Sequence, residues 1–89
     1  MKAVVTVVGE DRVGIIASVC GVMAENNVNV LDISQTVMQG YFTMTMIVDT
    51  SACKVDIADL ADILKAHGEK VGLSIRVQST KIFKAMHRI

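Results

Sequence analysis

The sequence predicts an α+β fold of the ferredoxin-like kind: a four-stranded antiparallel sheet in βαββαβ order, two helices on one face of it, and a short C-terminal helix. Three observations lead there. Four short runs rich in β-branched residues alternate apolar and polar positions; two longer stretches repeat apolar residues every three or four positions; and these occur in the order β, α, β, β, α, β. Two right-handed βαβ crossovers then place both helices on the same side of the sheet. With 89 residues, 52% of them hydrophobic, the chain can build one such core and not two. Residues 1–80 are expected to form the domain and 81–89 an amphipathic tail.

Lys2-Ala-Val-Val-Thr-Val-Val8, ended by Gly9, reads as the first strand. From Val13 to about Asn26 the apolar positions Ile15, Ile16, Val19, Cys20 and Met23 follow helical spacing, with Asp11 where an N-cap would satisfy free amides. Asn26-Asn27 stops this helix. Val28 to about Met38 is a strand with Leu31, Ile33 and Val37 on an apolar side that only Gln35 interrupts, and Asp32, Ser34 and Thr36 on the other. Gln39-Gly40 supplies a tight turn into Tyr41 to Asp49, where Phe42, Met44, Met46 and Val48 alternate with Thr43, Thr45 and Ile47. The methionines read as core packing.

After the break at Thr50-Ser51, Ile57, Leu60, Leu64, His67 and Val71 form the stripe of a second helix, acidic at its start through Asp56, Asp59 and Asp62. Gly72 is its expected C-cap, with Gly68 tolerated inside it. Leu73, Ile75 and Val77 alternate with Ser74, Arg76 and Gln78 in the last strand. In the tail, Ile82, Phe83, Met86 and Ile89 share one side of a short helix.

Composition removes several function classes. Nine basic against nine acidic residues leave no net charge, hence no global field to recruit nucleic acid or anionic lipid. No apolar run approaches the roughly 20 residues that cross a bilayer, and no basic segment leads into a long apolar stretch, so a cytoplasmic protein is expected. Cys20 and Cys53 lie in no Cys-x-x-Cys or Cys/His cluster and read as reduced, structural thiols. His67 and His87 have no ligand-spaced companions, and no metal is expected.

The loop between the first strand and the first helix, Gly9-Glu-Asp-Arg-Val-Gly14-Ile15, separates the remaining possibilities. It has no cysteine pair to hold a soft metal ion. One Tyr, two Phe and no Trp give no stacking platform for RNA bases. Arg12 followed by Val13-Gly14 does not make the phosphate cradle of an acylphosphatase. What the loop does offer is Gly14 and Ile15 in the first helical turn, where unpartnered amides and the positive end of the helix dipole favour a carboxylate. Asp11 and Asn29 would complement an ammonium and a polar group. The purely structural alternative has Asp11 capping the helix, Arg12 solvated, and Gly14 allowing close helix packing. The small residues Gly14, Ser18 and Gly21 lie with Glu25 on one helical line, either a solvated face or a place where another backbone comes close.

Gly9-x-Asp11-Arg12-x-Gly14-Ile15, taken with Asn27-Val-Asn29-Val-Leu-Asp32-Ile-Ser-Gln-Thr36, resembles the ACT domain over roughly residues 1 to 80. The Phe-x-Met-x-Met strand adds a likeness to small stand-alone ACT-domain proteins and to the ACT halves of the glycine-cleavage-system transcriptional repressor. The resemblance implies a regulatory, non-enzymatic domain that acts as a homodimer and holds a small amino-acid-like ligand where one subunit's first loop meets its neighbour's second strand. Carried onto this chain, it implies a ligand set of Asp11, Arg12, Val13, Gly14 and Ile15 from the loop and Asn29 and Asp32 from the strand, with no catalytic residue and no cofactor. The alternative is a ligand-free dimerisation or docking module that binds a protein partner. Finally, the sheet face away from the helices would carry Val4, Thr6, Val8, Thr43, Thr45 and Ile47, too apolar to stay wholly wet; the tail is expected to cover it or to pack against a second subunit.

Overall fold

The computed structural model describes residues 2–10 and 13–79. The expected tail helix, 81–89, lies outside them, as do Asp11 and Arg12. The described elements are β1 (Lys2–Glu10), α1 (Ile15–Glu25), β2 (Asn29–Met38), β3 (Tyr41–Asp49), α2 (Ile57–Val71) and β4 (Ser74–Ser79). They form one four-stranded antiparallel sheet in the order β2-β3-β1-β4. The ferredoxin-like βαββαβ arrangement expected from the sequence is therefore present.

The core lies between sheet and helices. Ala3, Val5 and Val7 from β1 and Phe42, Met44, Met46 and Val48 from β3 meet Ile15, Val19 and Met23 from α1 and Leu60 and Leu64 from α2, all buried. Each of these side chains larger than alanine contributes about 1.5–3 kcal/mol when fully withdrawn from water. Period-two alternation in the strands and the i, i+4, i+8 line in α1 put these atoms on facing surfaces. Cys20 and Cys53 are free thiols, half-buried against that core.

Turn chemistry follows the residues. Asn27 takes the left-handed conformation just past α1, and Gln39 and Gly40 both have positive φ, 51° and 82°, as a two-residue hairpin joining right-twisted strands requires. Asp56 caps α2 by accepting the Asp59 amide at 2.9 Å, and Gly72 closes it at φ 77°. Gly9 does not end β1; it pairs with Phe42 inside the strand, and a Cβ there would meet Leu73 Cδ2 at 2.5 Å. Gly68 lies under the chain as it enters β4, where a Cβ would stand 2.5 Å from the Leu73 carbonyl oxygen.

Two expectations need correction. Helix α1 begins at Ile15 rather than Val13, and its N-cap is Gly14, at φ 90° and without a side-chain cap, rather than Asp11. The left-handed backbone at Gly14 bars the helical dihedrals from extending earlier. The apolar side of β2 is also not core. Leu31, Ile33 and Val37 are 47%, 40% and 55% exposed because β2 is an edge strand that projects past the helical layer. A bulge between Val30 and Asp32 leaves Leu31 as the extra residue in the pairing with β3.

Candidate functional site

The N-terminus of α1 stands at the sheet edge formed by β2. The first helical bond runs from the Ser18 amide to the Gly14 carbonyl at 2.9 Å, so the amides of Ile15, Ile16 and Ala17 have no acceptor within the helix. These three residues and Gly14 form one wall of a cleft of about 720 Å³; Gln35, Thr36 and Val37 of β2 and Phe42 of β3 form the other. Phe42 is buried and floors the cleft, while Ile16 and Val37 leave apolar rims. Among the described residues no charged side chain lines it, and the helix amides contribute positive potential to it.

Gln35 supplies the polar side chain opposite those amides. It pairs with Met44, which places it on the helix-facing side of β2 between Ile33 and Val37. Gln35 is not among the site residues expected from the sequence. Its signal was present all the same, since it is the one polar residue on an otherwise apolar side.

The remaining expected residues divide by place. Gly14 and Ile15 line the cleft, Gly14 as N-cap and not, as expected, in the first helical turn. A Cβ on Gly14 would meet nothing within 4 Å, so its glycine serves the backbone conformation and not close packing on the sheet. Val13 is fully exposed and lines a second cleft of about 370 Å³ on the other side of Gly14, together with Ile15, Ser18, Lys70, Val71 and Leu73. Asn29 and Asp32 lie at the far end of β2. Asn29 pairs with Asp49 and Asp32 with Ile47, so both stand on the sheet face away from the helices. Within one chain they are not brought together with Gly14. Asp32 accepts its neighbour Ile33's amide at 2.9 Å.

Ser18, on the small-residue line of α1, joins His67 of α2 by a hydrogen bond between Oγ and Nε2 at 2.5 Å; Gly14, Gly21 and Glu25 on the same line are exposed. Among the described residues no cluster of His, Cys, Asp and Glu could hold a metal ion, and no helix is long and apolar enough to cross a membrane.

Comparison with known proteins agrees with this architecture. The chain is 55% identical over 89 residues to a UPF0237 protein of Clostridium perfringens, covering the whole of both. It superposes on an ACT domain protein from Streptococcus pneumoniae with a TM-score of 0.83 at 45% identity, covering 98% of each chain. A putative glycine cleavage system transcriptional repressor shares the fold, with a TM-score of 0.74 at 23% identity, over 86% of this chain and 44% of that one. A family model described as the ACT domain matches residues 2–78. Motif, topology and these likenesses agree, and the chain belongs to the ACT-domain family.

Proposed function

We propose that this protein is a non-enzymatic, cytoplasmic regulatory module that binds a small amino-acid-like ligand as a homodimer. The observation that carries the reading is the cleft itself: three helix amides with no acceptor in the helix face a glutamine across an apolar floor, at the sheet edge formed by β2. A carboxylate suits the amides, Gln35 suits a second polar group, and Phe42 with Val37 suits a short apolar side chain.

The edge explains why a dimer belongs to the reading. β2 is a ten-residue edge strand whose outer N–H and C=O groups meet no strand among the described residues, flanked by exposed Leu31, Ile33, Val37 and Met38. An unprotected edge of that kind is a template for another strand. Antiparallel pairing of two β2 strands about a two-fold axis runs the Asn29 end of one beside the Val37 end of the other. The partner's Asn29 and Asp32 then come alongside the Val37 end of this chain's β2, on the sheet face away from the helices and beneath the edge that carries the cleft.

A thermal-shift screen of the free amino acids tests the ligand. A compound at 100 times its Kd adds about 2.7 kcal/mol to stability. If no amino acid moves the melting temperature while the protein sediments as a dimer, the ligand reading fails and the same edge serves a protein-docking or dimerisation module instead.

A further inference from the structure

Val4 and Val8 lie on the same strand and the same sheet face, the one away from the helices, yet Val4 is 1% exposed and Val8 40%. Both are central in the sheet: Val4 is flanked by Ile47 and Gln78, Val8 by Thr43 and Ser74. The same gradient runs through their neighbours. Ile47 and Gln78 are half-buried, whereas Thr43, Ser74 and Tyr41 at the other end are exposed. Val4 also stands apart from the cluster of buried side chains between sheet and helices. Flanking strands alone do not remove a valine from water on an open sheet face, as Val8 demonstrates.

We infer that residues 80–89 of the same chain pack across this face at its Val4–Ile47–Gln78 end. The chain leaves β4 at Ser79, which pairs with Ala3 next to Val4, so residue 80 starts at the covered end and not at the exposed one. Ten residues follow. As a helix they would be about 15 Å long, close to the roughly 14 Å width of a four-stranded sheet. Ile82, Phe83, Met86 and Ile89 fall on one side of such a helix, the pattern an apolar sheet face takes. A second copy seated on the face would have no reason to respect the end where β4 stops. The tail then has a function in assembly: by occupying one face, it prevents sheet-on-sheet stacking and leaves the β2 edge as the surface for association.

The test uses the full chain in solution. Nuclear Overhauser cross-peaks are recorded from the Phe83 ring and the Ile82 and Ile89 methyls to the methyls of Val4, Ile47 and Val8, on a uniformly labelled sample and on one mixing labelled with unlabelled chains. Expected are cross-peaks to Val4 and Ile47, none to Val8, and none surviving the filter that selects contacts between chains. The charge substitution Phe83→Asp should shift the Val4 and Ile47 methyl resonances and leave Val8 in place. Cross-peaks found only between chains would show that a second copy covers the face, and their absence from residues 80–89 altogether would remove the tail from it; either overturns the inference.

Discussion

Ser18 of α1 and His67 of α2 are hydrogen-bonded across the two helices, Oγ to Nε2, with both side chains half-buried. The bond ties the helix that borders the cleft to the helix that completes the core. Ser18→Ala removes one partner and leaves a half-buried ring nitrogen to find water, at a cost of about 0.5–1.5 kcal/mol. Urea unfolding should show a lower midpoint with an unchanged slope. An unaltered midpoint would mean that the pair adds nothing to the native state.

Substitution of Gly68, inside α2, should have the sign opposite to what helix propensity suggests. Alanine inside α2 ought to gain about 1 kcal/mol over Gly68. Its Cβ, however, would stand 2.5 Å from the Leu73 carbonyl oxygen, and Leu73 is itself held by its amide bond to the Gly68 carbonyl at 2.7 Å. Overpacking against fixed backbone costs about 1–3 kcal/mol or more, so Gly68→Ala should be net destabilising. At Gly9 the obstacle is the Cδ2 end of the Leu73 side chain, which can turn aside, and Gly9→Ala should cost less. A Gly68→Ala variant more stable than the parent would refute the packing account.

At Gly14 space is open and only the backbone objects. A residue with a Cβ held in the left-handed region costs about 1–2 kcal/mol, and Asn tolerates that region better than most. Gly14→Leu should therefore lose stability and any ligand-induced thermal shift together. Gly14→Asn should fold nearly as well as the parent, which makes it the cleaner probe of the cleft. Equal stability of the two variants would argue against the left-handed N-cap at φ 90°.

Ile33 is exposed on β2 and does not line the cleft. Ile33→Lys places a charge on the edge that the dimer is proposed to use, a substitution of the kind that blocks strand pairing. Sedimentation should show a monomer, with the circular dichroism of a folded chain. A folded Ile33→Lys dimer would place the interface elsewhere.

Asp49 at the end of β3 accepts from the Ser51 hydroxyl at 2.6 Å and from the Ser51 amide at 2.9 Å, and these bonds hold its carboxyl below the usual value, with the Lys2 charge a lesser cause. Because the folded-state value is the lower one, its contribution to stability is present above the unfolded value of about 3.9 and is lost as pH falls through the folded one. Ser51→Ala should raise the Asp49 midpoint in a carboxyl NMR titration; the same midpoint in both proteins would count against the Ser51 contacts.

Much of this was legible in the residues. Alternation marked β3 and its core methionines, Asp56 and Gly72 marked the ends of α2, and the Asp-Arg-x-Gly-Ile loop pointed to the family. What escaped depended on contacts between elements. Ile33 and Val37 look like core residues until β2 is known to be an edge, and Gly9 looks like a strand stop until Leu73 is known to press on it. Gln35 could be noticed as an exception, but only the placement of α1 against the sheet edge turns that exception into a cleft wall.

The bulge at Leu31 works as a phase shift. In an unbroken strand Asn29 and Asp32, three positions apart, would point to opposite faces; the one extra residue sets both on the same face. Pairing, and not residue count alone, is therefore a determinant of chemistry in this chain. Deleting Leu31 would leave Asn29 and Asp32 two positions apart in a regular strand, still on one face and with the apolar pattern from Ile33 onward undisturbed, whereas ironing the bulge out with Leu31 kept in the ladder would turn Asn29 to the helix side and split the polar pair between the two faces of the sheet.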